Sequence, residues 1–107
     1  MFASIRRYRL AQGSMDELMR RIDESFAEQI AAQEGFVCYH AIELDDGELV
    51  TASMFEDPRQ AEASRELAQR WTETELYDMD LQGLETLRSE IDVSRASEEM
   101  LEPLHAA

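Results

Sequence analysis

Apolar and polar residues along the chain follow two rhythms. One has a period near two residues and recurs in four segments; the other has a period between three and four and occurs in two. Phe2 to Leu10, Phe36 to Leu44 and Glu48 to Phe55 read as strands, and a fourth is expected over about Leu84 to Val93, where alternation is poorest. Between the first two strands, Met15, Leu18, Met19, Ile22, Phe26 and Ile30 form the apolar stripe of an amphipathic helix. Asp16, Glu17, Asp23, Glu24 and Glu28 occupy its other face. A thinner stripe, Ala61, Ser64, Leu67, Ala68, Trp71 and then Leu76, marks a second helix, and Tyr77 to Asp80 reads as its exit loop.

Local chemistry supports the boundaries. Ser14 with Glu17 reads as a capping box, and Asp57 with Gln60 as another, with Pro58 at the first helical position. Gly35 is placed to end the first helix as a C′ glycine, and Asp46-Gly47 joins the two middle strands as a hairpin. The order β-α-β-β-α-β predicts an α+β, ferredoxin-like domain: a four-stranded antiparallel sheet with both helices on one face. The domain is expected over 1–93, followed by a tail, 94–107, with a short helix around 97–104.

The strand faces predict an assembly. Strict alternation puts Phe36, Cys38, His40 and Ile42 on one face of the second strand and Val37, Tyr39 and Ala41 on the other. In the third, Leu49, Thr51, Ser53 and Phe55 oppose Val50, Ala52 and Met54. Neither face is cleanly polar, whereas a half-solvated antiparallel sheet alternates apolar with polar. Two helices cover only one face, so the other is expected to pack on the sheet of a second copy, giving a homodimer.

Composition narrows the partners. The 107 residues carry 24 acidic against 10 basic side chains, net charge −14, and every basic residue is arginine. Such a surface repels nucleic acid and anionic membranes. One cysteine, Cys38, builds neither an intrachain disulfide nor a thiolate metal cage. No apolar run approaches the roughly 18 residues that span a bilayer. The opening residues run directly into a strand without the pattern of a signal peptide, so a cytoplasmic location is expected.

A few side chains are candidates for chemistry. Arg6 and Arg7 point to opposite faces of the first strand, so one meets a covered surface. A covered arginine needs a carboxylate or an anionic ligand. Glu43, Glu85 and Glu90 offer a structural ion pair, the favoured reading, and an anion or enolate clamp is the other. His40 is a candidate general base, since imidazole is the side chain suited to that role near neutral pH, although a strand histidine is more often hydrogen-bonded within its sheet. Tyr8, Tyr39 and Tyr77 are the phenols. Trp71, the one tryptophan, either fills the core or walls a pocket. Two separated histidines without paired carboxylates form no recognisable metal site.

Phe2 to Arg9, Gly13 to Leu18, Glu34 to Tyr39, Ser53 to Asp57, and Ala61 to Ser64 with Ala68 and Trp71 together resemble the antibiotic biosynthesis monooxygenase family, small dimeric α+β barrel proteins. The resemblance covers about residues 2–93. It implies a cofactor-independent monooxygenase acting on a small electron-rich phenol or quinol. The anion of such a substrate gives an electron to dioxygen in an apolar pocket between sheet and helices. It implies Trp71 as a pocket wall, Arg6, Ser53 and Phe55 as substrate contacts, and Tyr77 and His40 as proton-handling residues. It implies no cofactor or metal. The alternative is a non-catalytic small-molecule binder or structural homodimer of the same fold. Heme degradation, the family's other chemistry, relies on an asparagine, a tryptophan and an iron-ligating histidine. This chain has no asparagine and no histidine on or just after the second helix, which leaves Trp71 alone of that set.

Overall fold

The computed structural model describes residues 1–97. Its strands are β1 (Phe2–Gln12), β2 (Phe36–Glu43), β3 (Glu48–Phe55) and β4 (Asp80–Glu90). The first helix is α1 (Met15–Arg21) and α2 (Ala27–Ala31), joined through a π-helical turn at Ile22–Phe26; the second is α3 (Pro58–Glu75). The strands form one antiparallel sheet in the order β2-β3-β1-β4. This is the expected ferredoxin-like arrangement. Among the described residues no helix is long and apolar enough to cross a membrane. Most of the short helix expected over 97–104 lies outside the described residues, and Ser97 itself carries no regular structure.

The π turn follows from the sequence. The buried residues Leu18, Ile22, Phe26 and Ile30 lie four apart. In an unbroken α-helix each fourth residue drifts by about 40° from the last. The wider turn, in which the Ala27 N–H donates to the Ile22 carbonyl, cancels part of that drift and keeps the stripe on the sheet. Leu18, Leu49 and Phe55 are the largest fully buried side chains, and each contributes about 1.5–3 kcal/mol by leaving water.

The caps differ from one another. At α3 the box is complete: Asp57 Oδ1 accepts from the Arg59 and Gln60 amides at 2.9 and 3.1 Å, and Gln60 Oε1 accepts from the Asp57 amide at 3.1 Å. At α1 only half forms. Ser14 Oγ accepts from the Glu17 amide at 3.3 Å, while the Glu17 carboxylate turns to Arg20 and Arg21 instead. Gly35 does not cap the first helix, whose C-cap is Ala32. It enters β2 at φ 76°, and a β-carbon there would fall 1.7 Å from Gln60 Oε1, inside the α3 capping box. Asp46 and Gly47 both have positive φ, as a type I′ hairpin requires.

Two register features correct the strict alternation. A β-bulge between Phe36 and Cys38 puts Phe36 on the same face as Tyr39, so that Phe36 pairs with Phe55 and Tyr39 with Ser53. β4 begins at Asp80, about four residues before its expected start, and bulges opposite Arg7 and Tyr8. The sheet face away from the helices carries the cross-strand rows Leu87-Ile5-Ala52-His40 and Ser89-Ala3-Met54-Cys38. Ile5, Ile42 and Leu87 are 43, 50 and 56% exposed, so this single chain leaves an apolar sheet face bare.

Candidate functional site

The alternation of β1 selects the side chains turned toward the helices. Phe2, Ser4, Arg6 and Tyr8 sit opposite Phe55, Ser53, Thr51 and Leu49 of β3. Arg7 takes the other face, where Glu48 and Glu85 lie 3.7 and 3.8 Å away. The covered arginine is therefore Arg6. Among the described residues it makes no ion pair, which corrects the expectation of a structural pairing with Glu43, Glu85 or Glu90.

A cavity of about 50 Å³ lies between sheet and helices. Arg6 and Tyr8 of β1, Tyr39 of β2, Thr51 and Ser53 of β3, and Leu81 of β4 form its floor. Ile22, Phe26 and Ile30 of the first helix and Ser64, Ala68, Trp71 and Thr72 of α3 form its ceiling. Small residues at 64 and 68 leave the room, because they stand where a Leu would otherwise reach the sheet. Ser64 Oγ donates to the Ala61 carbonyl at 2.7 Å, so its hydroxyl is satisfied within α3.

Trp71 is 6% exposed and held on two sides. Its ring lies 5.3 Å from Phe26, and its Nε1–H donates to Ser25 Oγ at 3.0 Å. Ser25 lies in the π turn and also accepts from Gln29 Nε2 at 3.1 Å. Beyond the indole is an open cleft of about 350 Å³ bordered by Arg20, Arg21, Glu24, Ser25, Glu75 and Tyr77. Trp71 borders both spaces and so stands between the largely apolar cavity and the more polar outer cleft.

The electrostatics of the cavity are one-sided. Among the described residues Arg6 is its one charged lining residue, and no carboxylate or histidine lines it. Burial, and secondarily the nearby Tyr8, push the Tyr39 phenol well above its ordinary pKa; Arg6 opposes them more weakly. Tyr39 is thus a neutral hydrogen-bond donor at physiological pH rather than a base. Its ring packs edge-on to Phe26 at 5.3 Å.

Of the residues expected at a site, Trp71, Arg6 and Ser53 meet at this cavity. Phe55 is fully buried beside Phe36, with ring centroids 5.9 Å apart, and does not line it. His40 lies on the opposite sheet face, across from Ala52. Tyr77 is 83% exposed and borders the outer cleft. Neither reaches the cavity, because the bulge sets the parity of β2 and α3 ends before Tyr77. Tyr8, Tyr39 and Thr51 join the site instead. Tyr8 was legible as the i+2 neighbour of Arg6, and Thr51 as the i−2 neighbour of Ser53; Tyr39 was hidden by the bulge.

No protein-family model matches the sequence, and no curated protein matches it. Solved structures do match in shape. A dimeric ferredoxin-like protein from an uncultured marine organism superposes with a TM-score of 0.70 at 8% identity, covering 90% of this chain and 98% of that one. SnoaB from Streptomyces nogalater, a cofactor-independent oxygenase, gives 0.64 at 17% identity, covering 91% and 95%. A proposed antibiotic biosynthesis monooxygenase from Deinococcus radiodurans gives 0.61 at 12% identity, covering 91% and 98%. At these identities the likeness is one of fold: the chain is built as a ferredoxin-like α+β protein of the architecture that antibiotic biosynthesis monooxygenase-like proteins share.

Proposed function

We propose that the chain is a cofactor-independent monooxygenase of the antibiotic biosynthesis monooxygenase type, acting on a small electron-rich phenol or quinol. The observation that carries this reading is the cavity itself: an aromatic, largely apolar space under Trp71 and Phe26, with a guanidinium and hydroxyls as its polar groups. The chemistry asks for a held aromatic anion, dioxygen beside it and little water. All electrons come from the substrate. One oxygen atom enters the ring system, and the other leaves as water with the hydrogens that the substrate gives up. A fold shared with a cofactor-independent oxygenase supports the same reading.

In this proposal the domain spans 1–93 and works as a homodimer in which the bare sheet faces pack together. The exposed apolar rows through Ile5, Ile42 and Leu87 support that geometry, as does the dimeric state of a fold neighbour. The dimer operates in the cytoplasm on a small aromatic ligand.

One observation favours a second reading, a non-catalytic binder or structural dimer. The cavity holds about 50 Å³, while a void of about 150 Å³ is what accommodates benzene. A ring therefore enters only if the lining side chains give way. Oxygen uptake against a panel of hydroquinones and anthrones separates the two. Protein-dependent uptake of labelled dioxygen with one labelled oxygen atom in the product and no accumulation of hydrogen peroxide supports the oxygenase. Uptake no faster than without protein, across the panel, removes it and leaves the binder.

A further inference from the structure

Among the described residues the cavity's cation has no counter-ion, and no carboxylate or imidazole is there to accept a proton. Arg6 lies at its floor, and Tyr8, Tyr39, Thr51 and Ser53 surround it with hydroxyls. Among the described residues none of these side chains makes a hydrogen bond or ion pair. Ser4, on the same face as Arg6 and directly across from Ser53, keeps its hydroxyl buried with no partner there either. Ser4 is the buried hydroxyl of this group, whereas Arg6 is half-buried, a cation turned toward an apolar space rather than into water. Carboxylates are abundant in this chain, 24 of 107 residues, and they pair Arg7, Arg9, Arg20, Arg21, Arg65 and Arg88. The one arginine facing the cavity is left free of them.

From this arrangement we infer that the cavity selects ligands that arrive already ionised, and that Arg6 is the seat of their anionic oxygen. The inference rests on the proposed function and narrows its substrate class to acidic phenols and enols that exist as anions at the working pH. A weakly acidic phenol would have to lose its proton inside the cavity. Among the described residues no Asp, Glu or His lines that space to receive it, and Tyr39 holds its own proton firmly. An ionised ligand needs no such group. Its oxygen replaces the missing carboxylate on Arg6, and the hydroxyls of Thr51 and Ser53, on the strand paired with Arg6, offer further donors. The surrounding acidic surface disfavours anions at long range, so selection rests on the short-range contact with Arg6.

The test is calorimetric titration of the full chain with 4-nitrophenol at pH values below and above the ligand's own pKa, alongside 4-nitroanisole, which cannot ionise. The expected result is that affinity follows the ionised fraction of the ligand. The phenolate should bind roughly 10- to 100-fold tighter than the methyl ether, the range of a charge-assisted hydrogen bond. In Arg6→Gln that preference should vanish while the ether binds as before; Arg6→Met, matched more closely in shape, serves if the glutamine variant does not fold. Equal affinity for ionised and neutral forms overturns the inference, as does a preference that survives both substitutions. Failure of the phenolate to bind overturns it as well. Oxygen uptake is read separately. Turnover of a phenol held below its pKa would sink the anion requirement and spare the oxygenase, whereas phenolate binding without uptake from any substrate would do the reverse.

Discussion

Replacing Trp71 tests whether one residue both closes the core and walls the cavity. Truncating a large buried aromatic to alanine ordinarily costs about 3–5 kcal/mol. Trp71 is 6% exposed, stacks near Phe26 at 5.3 Å and donates a hydrogen bond of 3.0 Å to Ser25, so most of that cost applies. Of the total, the ring contact accounts for about 0.5–1.5 kcal/mol and the hydrogen bond for a similar amount. The indole also borders space that is already empty, a 50 Å³ cavity on one side and a 350 Å³ cleft on the other. Those faces have fewer packing partners to lose, which places Trp71→Ala at the low end, about 3 kcal/mol. Trp71→Phe keeps a ring against Phe26 but loses the donor and some volume, for about 1–2 kcal/mol. Urea unfolding with an unchanged m-value measures both. Calorimetric ligand titration follows binding, since either variant removes the one tryptophan. Trp71→Ala joins the cavity to the cleft, so ligand selectivity should collapse along with stability. A loss below about 1 kcal/mol would refute the packing argument, given the usual range for such truncations. Unchanged ligand binding would refute the wall.

Other expectations follow from the same geometry. Leu87→Glu, with Ile5→Glu as its cross-strand companion, should convert the proposed dimer to a monomer; sedimentation equilibrium giving one chain's mass for the unsubstituted protein at micromolar concentration would refute the sheet-face interface. Gly35→Ala should cost about 1–2 kcal/mol in unfolding experiments, through the positive φ and the displaced Gln60 side chain, and a neutral result would contradict the contact with the α3 capping box. Hydrogen bonds from Arg20 and then Arg21 hold the Glu17 carboxyl down at a pKa of about 2. Because the folded value lies below the unfolded one, its contribution is complete above about pH 4.3 and is lost as pH falls toward 2. Glu17→Gln should therefore be less stable than the parent at neutral pH, with the difference closing in acid; a difference independent of pH would contradict the pairing.

What the sequence made legible is local. Ser14, Asp57 with Pro58, and Asp46-Gly47 each act within a few residues, and each stands where its chemistry indicates. The first helix stripe was equally clear, because every fourth apolar residue is buried whether the turn is α or π. The obscured features depend on pairing between distant segments. The bulge between Phe36 and Cys38 reverses Phe36 relative to the rest of β2, so alternation counted from Phe36 misplaces Tyr39 and His40. β4 has few apolar inward positions because its inner face includes Thr86, Arg88 and Glu90, so its start could not be read from alternation. Which of Arg6 and Arg7 faces the helices is set by the register with β3. Trp71 and Arg6 were identifiable as site residues from residue type, and the hydroxyls beside them only from the assembled sheet.

The most direct measurement is the response of two side-chain NMR signals to an added anthrone. Trp71 supplies the one indole N–H resonance of the chain and borders the cavity, whereas the His40 ring lies on the opposite face of the sheet. If the cavity between sheet and helices is the functional site, the indole resonance shifts with saturation while the His40 ring signals stay in place. Shifts at the His40 ring with an unmoved indole would put the ligand on the open sheet face and contradict the account.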